Sequence, residues 1–314
     1  MSSHAVTDKL PPRRSRASRL RQQSPRLSQA RAPWLFMAPS LIVLAIFVVY
    51  PMVRAAYLSF TKYGLLKPPV WVGLENYQRL LHDPQATNAL ANTLVYAAAT
   101  TVVSIALAFV LAVLLNVKFF GRGFARTAIF VPYIISMGVI AISWTFLLNP
   151  DIGLLSYWLQ SVGIDAGQGW LRNPNLAPVT VIAVGVWKNL GFYVVIFLAG
   201  MQSIPQEINE SASVEGAGPI RRHVVITWPL LSNQVMLVAI VATITNVQVF
   251  DQIYVMTQGG PFFRTESIVT LIYRTGFTEL DFGYASALSF VLLLLLLVLS
   301  LAQLAYFRGK AVSY

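Results

Sequence analysis

Cysteine is absent from this 314-residue chain, so the chain forms no disulfide and offers no thiolate to a metal. The three histidines, His4, His82 and His223, are too scattered for a metal site or a catalytic cluster. No G-x-x-x-x-G-K-S/T phosphate-binding loop occurs, so any ATP hydrolysis must come from a separate polypeptide. We therefore expect a protein that is not an enzyme, with no cofactor, no metal and no catalytic residue.

Charge is scarce as well, since charged residues make up 11% of the chain against roughly a quarter in a soluble domain. Hydrophobic residues make up 56%, and the mean hydropathy is +0.63. Apolar segments long enough for a bilayer core of ~30 Å, which takes ~20 helical residues, lie at residues 34–60, 92–117, 125–148, 178–201, 230–250 and 283–307. An unbroken leucine run at 292–297 argues against the alternation of barrel strands. The composition predicts an all-α, polytopic membrane protein with six transmembrane helices.

The net charge of +11 is distributed unevenly between alternate connecting segments. With the N-terminus in the cytoplasm, the inner segments carry 15 basic and 4 acidic residues, and the outer segments carry 7 basic and 8 acidic. This positive-inside asymmetry predicts that both termini are cytoplasmic. The arginine-rich residues 1–32 are predicted to be a disordered tail attracted to anionic membrane lipid, and nucleic acid is not an expected partner.

A polar, helix-patterned segment separates the fourth and fifth apolar segments. Ser203 followed by Gln206 has the spacing of a capping box, and Gly216 offers a left-handed stop, so a short helix is predicted over residues 204–215. Pro219 suits the first turn of a second helix that runs back toward the membrane. The charge distribution places this segment in the cytoplasm.

Three stretches of this segment follow one another in a recognisable order: Glu210-Ser211-Ala212, Glu215-Gly216-Ala217 and Ile226-Thr227-Trp228-Pro229. They resemble the Glu-Ala-Ala, Asp-Gly-Ala and Ile-x-Leu-Pro signature of permease subunits of bacterial ABC importers of the carbohydrate-uptake type, which include maltose and glycerol-3-phosphate permeases. The departures are Ser211 for Ala, Glu215 for Asp and Trp228 for Leu. Stretches such as GLENYQRLL near 73 and VMTQGGP near 255 extend the resemblance from about residue 34 to the C-terminus. The resemblance implies a type I importer permease fold over residues 33–314, in the bacterial inner membrane.

In the resembled family this segment is a coupling helix that docks on an ATPase subunit, which implies a coupling segment at residues 203–229. The implied docking residues are Glu207, Glu210, Ser211, Ala212, Glu215, Gly216 and Ala217. Their chemistry favours the same role, because small side chains allow close approach and a carboxylate can pair with a basic residue across an interface. The alternative is a helix lying on lipid, but the segment lacks a bulky apolar face and carries three acids.

Polar side chains at membrane depth are costly and usually face a cavity or a neighbouring helix. They cluster in the fourth and fifth spans, and the predicted substrate path comprises Lys188, Asn189, Tyr193, Asn246 and Gln248. The resemblance to maltose permeases implies that Lys188, Asn189 and Asn246 border the sugar site. For Thr243 and Thr245 we expect interhelical hydrogen bonds instead.

The expected function is import of a sugar or oligosaccharide. Import of glycerol 3-phosphate or a glycerophosphodiester by the same machinery remains the alternative, because Lys188 could counter an anionic solute. An ion-coupled carrier is less favoured, since no carboxylate lies deep in any predicted span. The resemblance implies a second permease subunit forming a heterodimer, two copies of a cytoplasmic ATP-binding subunit, and an external solute-binding protein.

Overall fold

The computed structural model describes residues 26–164, 167 and 169–308, and two compact units meet in sequence between Ala55 and Ala56. The first unit contains α1 (Arg26–Leu44), a π-helical turn (Ala45–Val49) and the beginning of α2 (Tyr50–Ser59). Because α1 begins at Arg26, residues 26–32 are helical, and the predicted disordered tail is corrected there. The rest of that tail lies outside the described residues.

The second unit contains a two-stranded antiparallel sheet and the remaining helices. The strands are β1 (Thr61–Lys62) and β2 (Val70–Trp71). The helices are α3 (Glu75–His82), α4 (Pro84–Asn116), α5 (Arg122–Ile134), α6 (Met137–Leu147), α7 (Leu154–Ser161), α8 (Leu176–Ser203), α9 (Gln206–Val214), α10 (Pro219–Arg221), α11 (Trp228–Leu230), α12 (Ser232–Val247), α13 (Asp251–Met256), α14 (Ile268–Tyr273) and α15 (Phe282–Arg308). Two further π-helical turns occupy Arg222–Thr227 and Arg274–Thr278.

Four single helices in the described part of the chain are long and apolar enough to cross a membrane: Phe36–Ser59, Pro84–Asn116, Leu176–Ser203 and Phe282–Arg308. Two bent pairs, Arg122–Ile134 with Met137–Leu147 and Pro219–Leu230 with Ser232–Val247, pass the same test together and bring the number of spans to six if each pair is one span. The mostly helical membrane fold predicted from the sequence is therefore confirmed, and the six predicted spans correspond to the four single helices and the two bent pairs.

The third span is not the single helix that the sequence predicted, because α5 and α6 meet at an angle of 100°. Pro132 lies inside α5 and cannot donate the hydrogen bond that continues a helix. Three residues later the backbone at Ile135 is extended, with φ −73° and ψ 140°. A second bend, of 73°, lies where α11 meets α12, at the predicted boundary between the second helix of the coupling segment and the fifth span. The extended backbone at the break in the third span interrupts the helical hydrogen bonds, and at membrane depth such backbone groups line a cavity or find other partners.

The largest buried cluster joins α4, α8 and α12. Ala108, Ala112 and Phe197 are fully buried in it, with Val238 from α12. Small residues on α4 let the helices approach closely, as is usual in membrane bundles. Gly191 of α8 has the same effect toward α5, because a side chain at this position would meet the backbone of Ile129. This cluster holds the spans that carry the predicted substrate path.

Candidate functional site

The helix of the coupling segment begins later than predicted. Ser203 is the last residue of α8, and its hydroxyl donates to the carbonyl of Gly200 at 2.8 Å instead of capping a new helix. Pro205 holds the preceding residue, Ile204, in an extended conformation, so α8 ends there. The capping-box prediction was wrong, and α9 starts at Gln206.

The end of α9 agrees with the sequence. Gly216 has a φ of +76°, which is the left-handed conformation that favours glycine. Ala217 donates its backbone N–H to the carbonyl of Ala212 at 3.0 Å and so closes the turn. Pro219 then opens the second helical stretch as its first residue. The helix, turn and helix predicted for this segment are therefore present.

Most of the predicted docking residues lie on the surface. Those that are exposed are Glu207, Glu210, Ser211, Glu215 and Gly216, whereas Ala217 is half-buried. Ala212 is only 4% exposed and is therefore not available to a partner in this conformation. Val214 is 89% exposed and Ile220 is 79% exposed, and sequence reasoning assigned neither of them. The outward surface thus combines three carboxylates with two apolar side chains.

Trp228 connects the coupling segment to the membrane helices. Its ring packs edge-on against Phe109 of α4, with centroids 4.9 Å apart, and lies 6.4 Å from the ring of Phe197 on α8. Ile204, at the other end of the segment, packs against the same buried cluster. Trp228 replaces the leucine of the family signature, and this larger side chain reaches two spans at once.

A partly open cavity of about 160 Å³ lies beside the break in the third span and the C-terminal end of α12. It is lined by Tyr96, Met137, Lys188, Asn189, Thr245, Asn246, Gln248, Val249, Phe250, Asp251 and Gln252. The structure brings together four residues of the predicted path, since Lys188, Asn189, Asn246 and Gln248 all line it. Tyr193 does not, because it is 2% exposed within the cluster of α4, α8 and α12.

Lys188 lies beside the break in the third span. Its ammonium group donates to the backbone carbonyl of Tyr133 at 3.4 Å and lies 5.0 Å from the centroid of the Tyr133 side-chain ring. Tyr133 is in the last turn of α5, where a cation is favoured by the helix dipole. Asp251 lines the same cavity, so the cavity contains one cationic and one anionic side chain.

Asn246 serves two roles in this arrangement. It lines the cavity, and its amide donates to the hydroxyl of Thr101 on α4 at 3.0 Å.

The two threonines of the fifth span behave differently from each other. Thr243 accepts a hydrogen bond from Gln303 at 2.7 Å, which is the interhelical bond expected of it. Thr245 behaves differently from the prediction, because it is exposed and lines the cavity.

Sequence reasoning missed Gln252, which anchors the short helix α13. Gln252 is 2% exposed, accepts from the hydroxyl of Tyr96 at 3.1 Å, and donates to the carbonyl of Val181. Gly185 leaves room for this contact, because a side chain there would meet Tyr96 and Gln252. The only sequence signal was a glutamine beside Asp251, just beyond the predicted end of the fifth span.

Comparison with known proteins identifies the family. Residues 101–311 match the family described as binding-protein-dependent transport system inner membrane component. The probable ABC transporter permease protein YurN of Bacillus subtilis is 37% identical, with 88% of this chain and 97% of that protein covered. The sn-glycerol-3-phosphate transport system permease protein UgpA of Agrobacterium fabrum is 34% identical, with 90% of this chain and 96% of that protein covered.

A solved structure supports the fold. One chain of a bacterial alginate ABC transporter, in complex with a periplasmic protein bound to alginate pentasaccharide, superposes with a TM-score of 0.79 at 23% identity. The match covers 91% of this chain and 98% of that one. With the apolar spans and the helix, turn and helix of the coupling segment, these similarities show that the chain belongs to the family of binding-protein-dependent inner membrane permeases of ABC importers.

Proposed function

We propose that this permease subunit moves a sugar or oligosaccharide into the cytoplasm and that α9 couples the movement to a separate ATPase. The observation that carries the proposal is the connection between an exposed acidic surface and the cavity. Glu207, Glu210 and Glu215 are exposed on or beside α9, while Trp228 ties the same segment to α4 and α8. A movement of the coupling segment, caused by the ATPase at the acidic surface, would therefore displace α4 and α8, which both line the cavity.

The cavity chemistry favours a neutral polyhydroxyl solute. Asn189, Asn246 and Gln248 offer side-chain amides, which can both donate to and accept from sugar hydroxyls. The ammonium group of Lys188 is already engaged by a backbone carbonyl, and Asp251 lies on the same cavity, so the site holds no excess of positive charge. A phosphate monoester would favour a surplus of cationic donors.

Glycerol 3-phosphate import is the second candidate. It is supported by the 34% identity to UgpA of Agrobacterium fabrum over 90% of this chain. In that case Lys188 would leave the carbonyl of Tyr133 to meet the solute phosphate. The two candidates use the same coupling segment and differ in what Lys188 contacts during transport.

The proposal includes partners and an orientation. The chain would pair with a second, different permease subunit, bind two copies of an ATP-binding subunit at the cytoplasmic face, and receive solute from an external solute-binding protein. Both termini and residues 203–229 would then be cytoplasmic, which the excess of basic residues in the inner segments supports.

The test is charge reversal on the exposed acidic surface. Glu210→Lys should abolish co-purification of the ATPase subunit and uptake of solute while the chain still inserts, because a charge facing the partner is inverted. Glu75→Lys is the matched control, since Glu75 is also exposed but lies in α3 at the opposite end of α4. Normal ATPase binding and uptake in Glu210→Lys would contradict the proposed coupling role.

A further inference from the structure

The connection between α4 and α5 carries a second surface, which the proposed function does not use. We define the basic-aromatic loop as residues 117–126, which comprise this connection and the first turn of α5. Three phenylalanines in it are exposed: Phe119, Phe120, which is fully exposed, and Phe124, which is 81% exposed. Scattered apolar side chains on a surface are ordinary, but three aromatic rings in so short a loop form a patch that needs a partner.

The same loop is strongly basic. Lys118, Arg122 and Arg126 lie within it, and the chain has no acidic residue between Asp83 and Asp151. Arg126 donates one hydrogen bond to the carbonyl of Leu115 at 3.0 Å, while its buried Nε–H has no hydrogen-bond partner among the described residues. The loop therefore presents positive charge that is not neutralised by a neighbouring acid in sequence.

Packing places the basic-aromatic loop at the same end of the bundle as the coupling segment. Leu115, next to the loop, shares one buried cluster with Met201 and Leu231, which flank the coupling segment on both sides. Under the proposed function this end is cytoplasmic, and the cytoplasmic leaflet is rich in anionic lipid. The inference rests on the proposed function through this orientation.

We propose that the basic-aromatic loop binds the phosphate headgroups of anionic phospholipids, with its phenylalanine rings inserted into the membrane interface. Basic residues beside exposed aromatic rings are the combination that holds a segment at an anionic membrane surface. Phenylalanine and arginine are also common at protein interfaces, where lysine is depleted, so contact with another subunit is the alternative outcome of the test. The two surfaces at this end then divide their roles, since the acidic α9 faces the ATPase and the basic-aromatic loop faces lipid.

The test measures lipid retention by the full-length chain, purified with the subunits that accompany it. The protein is reconstituted in vesicles of phosphatidylcholine with phosphatidylglycerol, and the phosphatidylglycerol that stays bound to it on purification is measured. Replacing Lys118 and Arg122 together by Gln should lower the amount of bound phosphatidylglycerol. The expected loss is about fivefold for each charge and about thirtyfold for the pair. Arg126 is left unchanged, because it also supports the end of α4. The matched control is Lys62→Gln with Lys67→Gln, which removes the same charge from two exposed lysines elsewhere.

A probe on the loop identifies what it touches. The chain has no cysteine, so Phe120→Cys can carry a single polarity-sensitive fluorophore. Its emission should shift to the blue and be quenched more strongly by brominated phosphatidylglycerol than by brominated phosphatidylcholine. Equal lipid retention in both double variants, or crosslinking of residue 120 to another subunit instead of quenching by lipid, would overturn the inference. Because neither readout is transport, such a failure would leave the proposed function intact.

Discussion

Trp228→Ala is the substitution that most directly tests how the coupling segment reaches the membrane helices. The indole packs on Phe109 and Phe197, so its loss removes contacts to α4 and α8 together. Truncating a fully buried tryptophan costs about 3–5 kcal/mol, and an aromatic pair contributes about 0.5–1.5 kcal/mol beyond its buried area. Because Trp228 is only half-buried, we expect a cost of about 2 kcal/mol, which a bundle of this size tolerates.

The effect on function should be larger than the effect on folding. If about 2 kcal/mol holds the coupling segment against α4 and α8, solute transported per ATP hydrolysed should fall by up to about 30-fold. The assay is solute uptake and ATP hydrolysis in proteoliposomes that contain the complete transporter. Trp228→Leu restores the residue of the family signature and should retain most of the coupling, since leucine keeps part of the apolar contact.

A second control separates coupling from general destabilisation. Trp71→Ala also removes one stacked tryptophan, because Trp71 lies 5.5 Å from the ring of Phe60, but it is in the β1–β2 pair and far in sequence from the coupling segment. It should leave transport per ATP unchanged. A Trp228→Ala transporter that moves solute with the wild-type ratio to ATP would refute the mechanical role of this side chain.

Three further predictions concern the cavity and the topology. Asn189→Leu should raise the apparent KM for solute by about 2- to 10-fold without loss of stability, because Asn189 lines the cavity and has no side-chain hydrogen bond in the described part of the chain. Asn246→Leu should also destabilise the protein by about 1–3 kcal/mol, since the hydroxyl of Thr101 loses its hydrogen-bond donor. Wild-type uptake kinetics in both variants would show that neither residue belongs to the substrate path. Lys188→Met should spare uptake of a neutral sugar once folding is checked, whereas crippled uptake in this variant would favour an anionic solute such as glycerol 3-phosphate. Ser213→Cys should resist an impermeant maleimide added to intact cells, whereas ready labelling would contradict the cytoplasmic coupling segment.

Part of the candidate site could be predicted from the sequence, because it depends on the residue types at single positions and on short-range backbone conformation. Polar side chains at membrane depth must find a cavity or a neighbour, and this constraint brought Lys188, Asn189 and Asn246 to one cavity. The turn after α9 follows from Gly216, which adopts the left-handed conformation. Gln252 could not be predicted in this way, because its role depends on hydrogen bonds to residues 71 and 156 positions away in the chain.

What the sequence determined by itself is the approximate position of the apolar spans, because a bilayer of ~30 Å demands ~20 apolar residues wherever a helix crosses it. Only the tertiary structure decided how those spans are shaped and which side chains they present. The 100° break after Pro132 is accompanied by close packing at Gly191 and by the ammonium of Lys188 at the end of α5. Tyr193 is buried for a similar reason, since the face that a helix turns to its neighbours depends on the close packing of α4, α8 and α12.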